Sequence, residues 1–215
     1  MPLKVKICGM RDPANIGAAA ALGPDYMGFI FYGKSPRYVG AGFSPDWSRL
    51  GGVVKTAVFV DEPLDSALEI IGRLGFEAAQ LHGSESPEYC RQVQQAGVAI
   101  IKAFGIAEGF DFGLLEAYAP VCDYFMFDAK TSAFGGSGQT FPWDLLRRYS
   151  GSKPFFLSGG LDLGNLSAAM DAAAGLPLYA LDLNSRFELA PGLKDTGKVK
   201  EAIRLIKHIG NEGKK

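Results

Sequence analysis

Short, mostly apolar runs of strand type alternate with longer amphipathic runs along the whole chain, and this repetition limits the fold more than any other feature. The strand-like runs are "KVKIC" (4–8), "YMGFIF" (26–31), "KTAVFV" (55–60), "AAQLH" (78–82), "AIIKAF" (99–104), "YFMFD" (124–128), "PFFLSG" (154–159) and "YALDLN" (179–184). Between and after them the spacing predicts helices over 14–23, near 45–50, and over 63–75, 86–97, 112–119, 141–149, 163–175 and 196–210. In the third of these, Leu64, Leu68, Ile71 and Leu74 recur at helical spacing, and Asp12-Pro13 supplies a cap and first turn for the first. Strands apolar on both faces and separated by helices belong to a parallel sheet covered by helices. Eight such units favour an α/β fold of one kind, a single-domain (β/α)8 TIM barrel over residues 1–215, with a tail at 211–215 expected to fray.

Composition removes several function classes. A hydrophobic fraction of 47% and a charged fraction of 21% are those of a soluble globular protein. The formal net charge of −1, without a basic stripe, gives no footprint for nucleic acid or an anionic membrane. The first residues, "MPLKVKICGM", lack the apolar core of a signal peptide, and no run has the length of a transmembrane helix, so a cytoplasmic protein is expected. Cys8, Cys90 and Cys122 are odd in number and widely spaced, which indicates neither a disulfide framework nor a zinc site. With only His82 and His208 besides, no metal site is expected. Glycine, at 28 of 215 residues, is in excess of the usual ~7% and asks for many turns or for backbone pressed against a ligand.

In a (β/α)8 barrel the chemistry collects at the C-terminal ends of the strands. There the chain places Cys8, Arg37, Gln80 with His82, Asp128, Ser158, and Asp182 with Asn184. The loops "AFGGSGQTF" (133–141), "LSGGLD" (157–162) and "LNSRFE" (183–188) combine glycines, hydroxyls and Arg186. Glycines let backbone N–H groups approach an oxyanion, and the loops after strands 7 and 8 are the usual phosphate cradle of this fold. Turn chemistry is the competing explanation for each loop alone; their coincidence at one corner favours phosphate.

Cys8 and Asp128 end the first and sixth strands, on opposite sides of the barrel mouth. A thiolate can take a carbon-bound proton while a carboxylic acid protonates an oxygen across the site, provided the thiol pKa falls toward neutrality and the carboxyl pKa rises. Taken alone, a cysteine at a strand end is a small packing residue. Cys90 and Cys122 are assigned to packing. Arg37, stiffened by Pro36, is either a bidentate partner for a substrate carboxylate or a solvated loop residue. His82 is a proton carrier or a histidine bonded to neighbouring backbone, and Asp182 is structural or orients a sugar hydroxyl.

The motifs "KICGMRDP", "GFIFYGKSPRYV", "VFVDEP", "QLHGSE", "FMFDAK", "GGSGQTFPW", "FFLSGGL", "LDLNSRFE" and "PGLKD" occur in this order over nearly the whole chain. As a set they resemble the phosphoribosylanthranilate isomerase family of tryptophan biosynthesis. The resemblance implies an Amadori rearrangement of N-(5-phosphoribosyl)anthranilate to 1-(o-carboxyphenylamino)-1-deoxyribulose 5-phosphate, without metal or organic cofactor. It implies Cys8 as the general base at C2′ and Asp128 as the general acid at the ring oxygen. Arg37 would lie near the anthranilate, with His82 and Asp182 completing the substrate site. Gly135, Gly136, Gly159, Gly160, Asn184, Ser185 and Arg186 fall in the phosphate loops. The chain departs from the family where Asn184-Ser185-Arg186 replaces a Ser-Ser-Gly turn. The implied partner is a small phosphorylated substrate, and the assembly a monomer or homodimer.

Two enzymes on related barrels compete. An aminoaldose isomerase of histidine biosynthesis usually has an aspartate where Cys8 stands, and a second phosphate cradle where "VDEPLD" and "HGSESPE" are acidic and glycine-poor. Indoleglycerol-phosphate synthase needs an N-terminal extension and catalytic lysines. A noncatalytic barrel that binds a sugar phosphate is the rival of a different class; the Cys8/Asp128 pair separates it from an enzyme.

Overall fold

The computed structural model describes residues 2–129 and 140–212, and in it eight parallel strands close into a barrel in chain order. They are β1 (Lys4–Ile7), β2 (Tyr26–Ile30), β3 (Val54–Phe59), β4 (Ala78–Leu81), β5 (Ala99–Ile106), β6 (Tyr124–Ala129), β7 (Phe155–Leu157) and β8 (Leu178–Leu183). The ring closes where β1 pairs with β8, from Lys4 opposite Ala180 to Ile7 opposite Leu183. Every expected strand is present.

The outer layer matches expectation less evenly. Four helices follow strands as read from the sequence: α1 (Pro13–Ala20), α2 (Leu64–Leu74), α3 (Pro87–Gln94) and α4 (Leu166–Ala172). Asp12 and Ser86 cap α1 and α3 through their side chains, each followed by a proline at the first helical position. The helices expected over 112–119 and 141–149 are instead 3₁₀ turns, at Phe112–Ala117 with Ala119–Val121, and at Trp143–Arg148. Pro120 has no N–H to donate and disfavours helical backbone before it, and 143–148 is too short, ahead of Ser150-Gly151, for α-helix propagation to offset its nucleation. Near 45–50 there is likewise a 3₁₀ turn, Trp47–Arg49.

Two features were not expected. The antiparallel hairpin of β9 (Glu188–Ala190) and β10 (Leu193–Lys194) stands on the loop after β8. The last helix, α5 (Thr196–Glu212), takes in Asn211 and Glu212 of the 211–215 stretch expected to fray, and the rest of that stretch lies outside the described residues. Val199, Ala202, Ile203 and Ile206 form a buried stripe that pins α5 to the barrel, so further turns need only propagate.

Burial divides into two cores. The larger lies between barrel and outer layer and contains Ile7, Phe29, Phe59, Phe127, Phe155 and Leu181. Full burial of such side chains contributes about 1.5–3 kcal/mol each. The smaller lies inside the barrel, where Tyr26, Ala78, Ile101, Ala103, Met126, Phe156 and Ala180 form a floor. Tyr26 packs edge-on to Phe156 with ring centres 5.3 Å apart, and its hydroxyl is 2.9 Å from that of Tyr179. Inward positions further along the strands are polar, and the barrel opens at that end. Among the described residues, no helix is long and apolar enough to cross a membrane.

Candidate active site

Side-chain alternation builds the site from the strands. In β1, Val5 and Ile7 face the outer core while Lys6 points inward; Cys8 continues the inward set, its N–H donating to the Leu183 carbonyl at 2.9 Å. Cys8, Arg37, His82, Asp128, Asp182 and Ser158 line one pocket at the mouth. The residues predicted from both sides of the barrel therefore converge.

Asp128 is held on two sides. Its Oδ1 accepts from the Ala129 N–H at 2.8 Å, and its Oδ2 lies 3.2 Å from His82 Nε2. On the other side of the ring, Gln80 Nε2 lies 2.7 Å from His82 Nδ1. His82 is thus bonded to side chains, neither of them the backbone partner open to it on sequence. The turn after β7 crosses close above Asp128: Gly159 has φ 93°, and a Cβ there would lie 2.9 Å from Asp128 Oδ1. Any other residue would push the carboxyl from its place.

Arg37 is not a solvated loop residue. Only 6% exposed, it donates through Nε to Glu188 Oε1 at 2.9 Å and through Nη2 to Glu188 Oε2 at 2.7 Å. That fork belongs to Glu188, so a ligand carboxylate can engage only the remaining Nη1 edge. Glu188 Oε1 also accepts from Lys194 Nζ at 2.7 Å, and the same ammonium donates to Asn184 Oδ1 at 2.8 Å. Burial works against the Glu188 charge, but Arg37 and Lys194 outweigh it and hold the carboxyl below its ordinary range.

Asp182 pairs with Lys6, Nζ to Oδ1 at 2.9 Å, and the Lys6 side chain has no exposure. Burial opposes the Lys6 charge, yet Asp182 and Cys8 together raise its pKa. The Cys8 thiol behaves contrary to the requirement read from sequence: burial pushes its pKa up, with Lys6 and Lys194 acting in the other direction. Cys90 and Cys122 are buried away from this pocket.

Gly159 and Gly160, both at positive φ, line the same pocket with Asn184 and Ser185. Arg186, in the turn Ser185–Phe187, is exposed and does not line it. Gly135 and Gly136 lie outside the described residues. Lys6, Glu188 and Lys194 were not picked out as site residues. Lys6 was legible, since it shares the inward face with Cys8 two positions on; Glu188 and Lys194 reach the site only through the unforeseen hairpin.

The family model described as N-(5'phosphoribosyl)anthranilate (PRA) isomerase matches residues 5–204. The chain belongs to the phosphoribosylanthranilate isomerase family. An N-(5'-phosphoribosyl)anthranilate isomerase of Phocaeicola vulgatus is 43% identical over 212 residues, covering 94% of this chain and 97% of that one. The phosphoribosyl anthranilate isomerase structure from Thermotoga maritima superposes with a TM-score of 0.82 at 32% identity, over 96% of this chain and 99% of that one. A third relative, a phosphoribosyl anthranilate isomerase solved with reduced 1-(o-carboxyphenylamino)-1-deoxyribulose 5-phosphate, has a TM-score of 0.78 at 28% identity over 96% and 99% of the two chains. Phosphoribosylanthranilate isomerases therefore share both the sequence pattern and the barrel of this protein.

Proposed function

We infer that the chain carries out its family's reaction, the isomerisation of N-(5'-phosphoribosyl)anthranilate in tryptophan biosynthesis, by an Amadori rearrangement. The observation that carries the mechanism is the convergence of Cys8 and Asp128, from β1 and β6, on one pocket with Arg37 at its edge. Asp128, as the acid, protonates the furanose ring oxygen; the bond from that oxygen to C1′ breaks and the nitrogen lone pair forms a protonated Schiff base. The Cys8 thiolate takes the C2′ proton, the C2′–H electrons form the enolamine double bond, and the cationic nitrogen is neutralised. Tautomerisation moves the enol proton to C1′ and leaves the ketone. His82 Nε2, 3.2 Å from Asp128 Oδ2, is placed to orient that carboxyl toward the substrate.

The remaining pocket residues suit the rest of the substrate. Gly159, Gly160 and Ser185 offer backbone N–H and hydroxyl groups to the phosphate beside Asn184, and the free edge of Arg37 meets the anthranilate carboxylate. Arg186, exposed in the Ser185–Phe187 turn, acts on phosphate from the rim of the pocket.

The test follows the decay of phosphoribosylanthranilate fluorescence, the substrate being generated in place from anthranilate and phosphoribosyl pyrophosphate by a coupled transferase. Wild type should consume it, while Cys8→Ala and Asp128→Asn should each lower kcat by roughly two or more orders of magnitude with folding retained. Consumption by both variants at the wild-type rate would remove the assigned pair.

A further inference from the structure

The barrel interior beside Cys8 holds more positive than negative charge. Lys6, Lys194 and Arg37 supply three cations and Asp182 and Glu188 two carboxylates, joined at 2.9 Å (Lys6–Asp182), 2.7 Å (Lys194–Glu188) and 2.7 Å (Arg37–Glu188). No side chain of the five is more than 8% exposed. A buried charge without a counter-charge is costly, and beside this cluster Cys8 and Asp128 are the pocket groups able to carry further negative charge.

Contacts around the sulfur agree with that count. Lys6 Nζ donates to Asp182 Oδ1 and stands beside the Cys8 sulfur. Across from them, a Cβ on Gly28 would lie 2.8 Å from Cys8 Sγ and 3.1 Å from Lys6 Nζ, so β2 leaves room for this contact because residue 28 is glycine. Lys194 comes from β10, fixed by Asn184 and Glu188. From β8, Asp182 faces the sulfur with negative charge, and Asp128 and His82 form their own pair across the mouth.

We propose that Lys6 and Lys194 are positioning residues for the reaction, their ammonium groups favouring the Cys8 thiolate against the burial that keeps the thiol protonated. Neither lysine lines the pocket, so both act through the sulfur and not on substrate. Burial, with Asp182, raises the thiol; Lys6 and Lys194 oppose that rise without reversing it, and Cys8 favours the charge on each lysine, against the burial that holds Lys194 below its ordinary range. The inference rests on Cys8 being the general base.

Lys194→Gln and Lys6→Gln each remove a charge and keep a hydrogen-bonding side chain. Thiolate formation is read from its ultraviolet absorbance across pH, as the difference from the same protein carrying Cys8→Ser, beside the pH profile of kcat/KM. The midpoint should rise by about one pH unit in each variant, the usual scale for loss of a neighbouring charge. At neutral pH kcat should fall roughly tenfold and recover as pH rises, with KM little changed. Lys194→Gln leaves Glu188 paired with Arg37, so it remains a folded test even if Lys6→Gln, which strands Asp182, is not. An unmoved or lowered midpoint in folded Lys194→Gln overturns the proposal. Full turnover by Cys8→Ser alone would overturn the base assignment, and with it the catalytic meaning of the lysines, while the absorbance would still report whether they favour the thiolate.

Discussion

As the proposed base, Cys8 acts only after losing its proton, and burial makes that loss harder. Because the pKa lies above the ordinary thiol value, kcat/KM should climb with pH through neutrality and continue to rise past about 8.5. A profile already flat below about pH 7 would contradict this ordering of the groups. Arg37 makes a separate prediction. Arg37→Ala should raise KM at least as much as it lowers kcat, and Glu188→Gln, which loosens the fork that aims Arg37, should raise KM by a smaller factor. Steady-state kinetics on both variants check this, and unchanged KM in both would remove the carboxylate-binding role. At this scale the sequence was informative where a residue's position on a strand decides its direction. Cys8, His82, Asp128 and Asp182 were found that way, whereas the partner of Arg37 is far along the chain and invisible to local spacing.

Between elements, the loops after β3 and β4 are tied by a buried staple. Glu85 accepts from the Asp61 N–H at 2.9 Å, from the Gly83 N–H at 2.9 Å and from Lys102 Nζ at 3.1 Å. The staple holds Asp61 in left-handed backbone, φ 51°, and sets the loop that begins at His82. Glu85→Ala should cost about 3–5 kcal/mol in urea unfolding, because Lys102 is left charged and buried. A loss below about 1 kcal/mol would place the pair among the weakly contributing ones. The strands were legible because apolar runs of this length need cover on both faces, a local property of composition. The 3₁₀ turns were less so, since helix type there depends on the few residues available between fixed strand ends and on Pro120.

Over the whole molecule, stability should follow the titration of Glu188. Its folded pKa lies below its unfolded one, so its contribution is present above the unfolded value and is lost as pH falls through the folded one. Unfolding midpoints should therefore drop below about pH 4.5, and less steeply in Glu188→Gln. Phe127, fully buried in the outer core, should cost about 3–5 kcal/mol when changed to alanine, while the aromatic floor inside the barrel stays intact. The amino-acid order alone indicated the eight-unit barrel and set Cys8 and Asp128 at strand ends on its mouth, because each follows from periodicity along a short segment. Only the tertiary structure decided the charge cluster of Lys6, Asp182, Arg37, Glu188 and Lys194, which gathers groups from β1, β8, the loop after β2 and the β9–β10 hairpin. Those contacts, and the thiol pKa they govern, depend on distances and burial that appear when the ring closes and excludes water.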